Sequence, residues 1–181
     1  MQDFSLARRA MVDSQLRPEA VTDRGVLAAM ASVERENFVP ESARALAYFD
    51  RPLRLSDSRA MMPPAALGRL LSELAPRAGE RALIVGSGTG YAAALLKAIG
   101  LEVVALESDE ELARTARAAG VETVTGQQFR VETLEVLHGG MSCQQLGDLI
   151  ERRRAFGVSH LQGDAGRFEE LRETAGHAGS E

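Results

Sequence analysis

A chain of 181 residues that is 45% hydrophobic and 26% charged carries enough apolar material for one core, or one core plus an appendage, without disulfides or metals. Its formal net charge of −5 argues against a broad nucleic-acid-binding face, because phosphate binding needs clustered excess Lys and Arg. The single cysteine, Cys143, rules out an internal disulfide and makes a reducing, cytoplasmic setting the expectation.

The first sixteen residues carry charges throughout and no apolar run ahead of a cleavage site, so they do not read as a signal peptide. The longest apolar stretches fall far short of a bilayer span, so no membrane partner is expected. Residues 5–16 predict a helix that Pro18 ends. A second helix is predicted over 23–31, with Val26, Leu27 and Met30 on one face and Thr22 or Asp23 as its N-cap. Phe38-Val39-Pro40 closes this unit, and 41–64 read as irregular. Residues 64–74 predict a helix entered through proline, with Leu67, Leu70, Leu71 and Leu74 turned inward.

The next section carries the fold. Residues 81–85 are a short, continuous apolar run, as in a strand buried on both faces of a parallel sheet. The turn Gly86-Ser87-Gly88-Thr89-Gly90 follows at once, then a helix over 91–99 closed by Gly100. A second strand spans 101–106 and ends at Glu107, a helix spans 109–119, and a third strand spans 121–125. This β-α-β-α-β order predicts a doubly wound, mainly parallel α/β sheet of the Rossmann-like kind. After Gly126 the character changes. Residues 127–137 alternate polar and apolar positions, which suits a half-exposed strand. His138-Gly139-Gly140 reads as a turn, 143–156 as an amphipathic helix, 157–161 as a short strand and 167–174 as a last helix.

A strand, a Gly-x-Gly-x-Gly turn and a helix form a ligand-binding device: the glycines let backbone approach a ligand, and free amides at the helix start attract polar groups. An acid ending the next strand, Glu107, can accept hydrogen bonds from both hydroxyls of a ribose. Dinucleotide sites prefer Gly-x-Gly-x-x-Gly/Ala, whereas here the third glycine is Gly90 and the position that should stay small is Tyr91. That spacing disfavours a nicotinamide cofactor and favours S-adenosylmethionine. Gly86, Ser87, Gly88, Thr89, Gly90, Tyr91, Glu107 and Ser108 are the candidate cofactor-binding residues.

Three stretches then resemble a known family. RAMVDSQL at 9–16, VLAAM at 26–30 and VERENFVP at 33–40 are similar to the N-terminal signature of protein-L-isoaspartate O-methyltransferases. LIVGSGTGYAAAL at 83–95 resembles their cofactor motif and VALE at 104–107 the end of their second strand, with the likeness running in order over about residues 10–126. The resemblance implies three parts: an N-terminal helical, substrate-side segment over 1–64, an S-adenosylmethionine-binding core over 65–126, and a divergent C-terminal segment over 127–181. It also implies methyl transfer to a carboxylate or similar nucleophile on a protein or small molecule.

Two departures stand out. The family's Thr-x-Ser-type segment, beside the substrate carboxylate, corresponds to Ala60-Met61-Met62, where no hydroxyl is present; Ser56 and Ser58 are out of register. No catalytic residue is therefore assigned. The family's fourth strand is not recognisable after Gly126, and Gln127 stands where an acid belongs. An unusual replacement, a fusion remnant and a shifted reading frame all remain open as its origin. Without further strands the third strand is an exposed apolar edge, which leaves a homodimer open. Such departures also keep alive the alternative of a catalytically impaired cofactor-binding or protein-interaction module on the same scaffold.

The remaining candidates read blandly. His138, His160 and His177 lack ligand-like spacing, so no metal site is expected. Cys143 reads as a small helix residue rather than a reactive thiol. Arg152-Arg153-Arg154, flanked by Asp148 and Glu151, reads as a solvated helix face. Met61 and Met62 suit either a pocket lining or core packing.

Overall fold

Asp3 starts the first helix by accepting the amides of Ser5 at 3.0 Å and Leu6 at 3.2 Å on its Oδ1, which satisfies donors the helix itself cannot. The computed structural model describes residues 3–57 and 59–125, together with the backbone of 137–138. Helix α1 (Phe4–Met11) runs into a single π-helical turn, Val12–Leu16, in which the Arg17 amide reaches back five residues to the Val12 carbonyl at 3.1 Å. That wide turn keeps Val12 and Leu16 buried while Gln15 donates to the Tyr48 carbonyl at 2.9 Å. The single regular helix predicted over 5–16 is thus two pieces, because tertiary bonds at its end outweigh the α-helical repeat.

Helix α2 (Arg24–Ser32) has Asp23 as its N-cap, with the Val26 amide 2.8 Å from Asp23 Oδ1. The predicted irregular stretch is more ordered than expected. A 3-10 turn, Arg35–Phe38, precedes it, and it holds a second, Glu41–Leu46, and an antiparallel ribbon of β1 (Leu53–Arg54) and β2 (Ala60–Met61). Two-residue strands leave no alternation to detect, so the sequence gives them no signature. Helix α3 (Pro64–Leu74) enters through Pro63-Pro64 and borrows its cap from afar: Asp50 Oδ1 accepts the Ala65 amide at 2.9 Å.

The sheet follows the predicted order. Strands β3 (Arg81–Val85), β4 (Glu102–Glu107) and β5 (Thr123–Thr125) alternate with helices α4 (Tyr91–Ile99) and α5 (Glu110–Ala118). All pairings are parallel and the spatial order is β5-β4-β3-β6, with Val85 opposite Leu106 and Leu106 opposite Val124. Strand β6 (Leu137–His138) lies on the other side of β3, pairing Ile84 with Leu137 and Val85 with His138. Two expectations are corrected by it: a strand does occupy the fourth position, and His138 belongs to that strand rather than to a turn. A backbone edge beside β3 needs partners for its amides and carbonyls whatever side chains the partner carries, so apolar patterning does not reveal β6.

Side chains alternate across the sheet. Ala82, Ile84, Val103 and Ala105 join one large cluster with α2, α3, α4 and the N-terminal segment. Leu83, Val104, Leu106 and Val124 form a second cluster on the opposite face. Burial on both faces is why 81–85 and 102–107 read as continuous apolar runs. Among the described residues no helix is long and apolar enough to cross a membrane. The predicted segments 143–156, 157–161 and 167–174, with Gln127, Cys143, Arg152, Arg153, Arg154, His160 and His177, lie outside the described residues.

Candidate functional site

The site is built where the C-terminal ends of β3 and β4 meet, the place at which open parallel sheets leave a crevice. Leaving β3, the chain turns through Gly86, Ser87 and Gly88, and the amides of Gly86 and Ser87 both donate to the Leu106 carbonyl, at 2.8 and 3.1 Å. Gly88 has φ +59, and a Cβ there would meet Leu55 Cδ1 at 3.1 Å. Its amide donates to Glu107 Oε2 at 2.7 Å, so the glycine turn is fastened to the acid that ends the next strand. Gly90 does something different. With φ +87, its missing Cβ makes room for Ala116 at 2.9 Å and Val121 at 3.1 Å, so this glycine serves the packing of α4 against α5.

Glu107 is 1% exposed and well supplied with donors. Besides Gly88, its Oε1 accepts the amides of Ser108 at 2.8 Å and Asp109 at 3.0 Å. The Arg59 guanidinium lies over the same oxygen, Nη2 at 3.4 Å from Oε1 and 3.1 Å from Ser108 Oγ. Charge is thus paired and hydrogen-bonded, as a buried carboxylate requires.

A half-enclosed cleft opens in front of the turn. Gly86, Ser87, Gly88, Thr89 and Tyr91 contribute one wall, and Leu55, Arg59, Ala60, Met61 and Met62 the facing one. Of the sequence-derived candidates, Gly90, Glu107 and Ser108 are not lining residues; Glu107 lies behind Arg59. Thr89 turns its hydroxyl away from the cleft to donate to the Phe38 carbonyl at 2.6 Å, tying the turn to the N-terminal segment. Tyr91 is 2% exposed, with its ring 5.4 Å from Phe38 and the Arg35 guanidinium 4.8 Å above it. Burial pushes the Tyr91 phenol up and Arg35 opposes that shift. Met61 and Met62 line the cleft and also pack with the large apolar cluster, so both readings of that pair hold.

Behind Tyr91 sits a polar network that patterning did not reveal. Arg35 is fully buried, donating from Nε to the Ala47 carbonyl at 2.7 Å and from Nη2 to the Met62 carbonyl at 2.6 Å. Burial pulls its pKa below the ordinary arginine value, with Tyr91, Tyr48 and Asp50 acting against it. Next to it, Tyr48 donates to Glu36 and accepts from Arg8 Nε at 2.8 Å, while Arg8 Nη2 pairs with Glu36 at 3.1 Å. Burial, first, and Glu36 hold the Tyr48 phenol well above its usual range. Arg35 fixes the backbone at Met62 and so shapes the cleft wall without entering it. Arg59 and Leu55 were also missed; a lone arginine ahead of the apolar Ala60-Met61-Met62 stretch and its prolines is the signal that could have flagged the first. Among the described residues no group of three or more His, Cys, Asp or Glu stands together as a metal site would need.

A parallel β5-β4-β3-β6 sheet with a glycine turn bonded to the acid at the end of the adjacent strand defines a Rossmann-like α/β protein. Residues 7–139 match the family described as protein-L-isoaspartate(D-aspartate) O-methyltransferase, and the chain belongs to that family. It is 43% identical over 116 residues to protein-L-isoaspartate O-methyltransferase 2 of Marinobacter nauticus, covering 64% of this chain and 53% of that one. To the protein of the same name from Anaeromyxobacter sp. (strain Fw109-5) it is 44% identical over 117 residues, 65% of this chain and 46% of the relative. A solved protein-L-isoaspartate O-methyltransferase shares the fold at TM-score 0.58 and 24% identity, over 66% of this chain and 42% of that one. The chain spans about half the length of the curated relatives it matches.

Proposed function

We propose that this chain binds S-adenosylmethionine between the Gly86–Gly90 turn and Glu107 and serves methyl transfer to a carboxylate, of the isoaspartyl kind, on a protein. One observation carries the reading: the Gly88 amide bonded to Glu107 at 2.7 Å brings together, at the ends of two adjacent parallel strands, the two halves of a nucleoside site that the sequence had suggested separately. Membership of the methyltransferase family supports it.

The residues present fit such a cofactor. At Gly86 and Gly88 the cleft wall carries no Cβ, so a ligand can lie against backbone there, and Glu107 supplies a carboxylate for a ribose. The bound cofactor would supply a methyl group already activated on a sulfonium. What this chain's residues contribute is then orientation more than proton chemistry, since a carboxylate nucleophile is ionised beforehand. Leu55, Ala60, Met61 and Met62 give the facing wall an apolar surface. Arg35, through the Met62 carbonyl, holds that wall in position.

Calorimetric titration with S-adenosylhomocysteine tests the reading. Wild type should bind at micromolar concentration, and Glu107→Gln, which keeps the size but halves the acceptor capacity, should bind more weakly by about 1–3 kcal/mol, the cost of unpaired buried polar groups. A wild-type chain that melts cooperatively yet shows no heat of binding would end the proposal.

A further inference from the structure

The carboxylate assigned to the ribose is already occupied. Glu107 Oε1 holds four donors, the amides of Ser108 and Asp109, the Ser108 hydroxyl and the Arg59 guanidinium, while Oε2 holds the Gly88 amide. The three amides are fixed by the turn and by the start of α5. Arg59 rides on a long flexible stem, and its 3.4 Å contact is, with that of the Ser108 hydroxyl, the longest of the set. It is also the one of the pair that lines the cleft, with a side chain 29% exposed against 0% for Glu107. Whatever approaches Glu107 from the cleft meets Arg59 first.

A ribose whose two hydroxyls seek a carboxylate therefore competes with Arg59 for acceptor sites, of which a carboxylate offers about four. Once displaced, the guanidinium is left among Leu55, Ala60, Met61 and Met62. Its Nε is buried with no hydrogen-bond partner among the described residues even before displacement. A guanidinium in apolar surroundings needs an anion, and its planar fork matches a carboxylate. We propose that Arg59 is the carboxylate-binding residue of this cleft, parked on Glu107 until a ribose displaces it. This rests on the methyl-transfer reading, under which two carboxylates enter the cleft: that of the cofactor's amino-acid arm and that of the methyl acceptor.

The test titrates the full chain, as wild type, Arg59→Ala and Arg59→Gln, with 5′-methylthioadenosine, which lacks a carboxylate, and with S-adenosylhomocysteine, which has one. An isoaspartyl peptide is then titrated onto the S-adenosylhomocysteine-saturated proteins. Removing the parked cation should tighten 5′-methylthioadenosine three- to tenfold in both variants. If the cofactor's carboxylate is the partner, S-adenosylhomocysteine should weaken about tenfold or more in the same variants. If the acceptor's carboxylate is the partner, S-adenosylhomocysteine follows 5′-methylthioadenosine and the peptide weakens instead, about tenfold or more. Variants that bind all three ligands as wild type does overturn the proposal while leaving the cofactor site standing. Failure of every protein, wild type included, to bind either nucleoside overturns the functional reading and this inference with it. Arg59→Gln, uncharged and two atoms shorter than arginine, keeps a polar side chain and guards against a folding defect peculiar to alanine.

Discussion

The N-terminal segment and the β-α-β-α-β unit bury comparable side chains by opposite means. In the first, the interior holds a cation, a carboxylate and a phenol: Arg35, Glu36 and Tyr48 are all buried and bonded to one another's neighbours or to backbone carbonyls. In the second, Leu95, Leu96, Ala105 and Ala116 form an apolar core, and the buried polar side chains Thr89, Glu107 and Thr123 sit in the glycine turn and at strand ends. Apolar packing is non-directional, so it sets which elements lie together. Buried hydrogen bonds are directional and costly to leave unmade, so they set where a loop must lie. The cleft forms between the two regions, with one wall drawn from each.

Mutations can break or sharpen this contrast, and urea unfolding followed by circular dichroism reads them on one scale. The largest loss should come from Leu96→Ala, about 4 kcal/mol, because a fully buried leucine is replaced by a cavity. Arg35→Ala should follow at roughly 3 kcal/mol, since it strands the carbonyls of Ala47 and Met62. Arg35→Met sharpens the point: it keeps the bulk over Tyr91 and loses the donors and the charge, so a cost equal to that of Arg35→Ala would show that polar contacts, not packing, hold this region. Gly90→Ala should cost about 2 kcal/mol, from a left-handed φ and a clash with Ala116. Tyr48→Phe should cost about 1 kcal/mol, because Arg8 stays paired with Glu36.

The smallest effect concerns Asp3, whose exposed carboxylate is held below its ordinary value of 3.8 by the Ser5 hydroxyl first and the Leu6 amide next. A lowered folded pKa means the cap contributes fully above the unfolded value and is lost as pH falls through the folded one. Asp3→Ala should therefore destabilise slightly at neutral pH and make no difference in strong acid; a gap between the two proteins that persists in strong acid would contradict the capping role.

The same contrast explains what the sequence disclosed. Apolar runs at 81–85 and 102–107, the glycine turn and the proline-led helix are local signals with fixed spacing, so the sheet, its helices and the Gly88–Glu107 pair were all legible. Arg35 was not, because a single charged residue looks identical in sequence whether solvent or two carbonyls receive it. Arg59 escaped notice for the same reason, its partner being 48 residues away. The β1–β2 ribbon and β6 are two residues each, too short for any periodicity, and exist only because a neighbouring backbone edge is there to pair with. Tyr91, singled out in the sequence beside the glycine turn, lines the cleft, and its ring packs on Phe38 and under Arg35, contacts that no local pattern announces.

The 2.6 Å bond from the Thr89 hydroxyl to the Phe38 carbonyl makes one interaction common property of the glycine turn and the N-terminal segment. Thermodynamic reciprocity follows: a ligand that holds the turn in this shape must also protect the Arg35–Phe38 turn from opening, and loosening that turn must weaken the ligand by the same factor. Hydrogen exchange at the amides around Phe38 should thus register occupancy of a pocket whose glycines lie some fifty positions further along the chain.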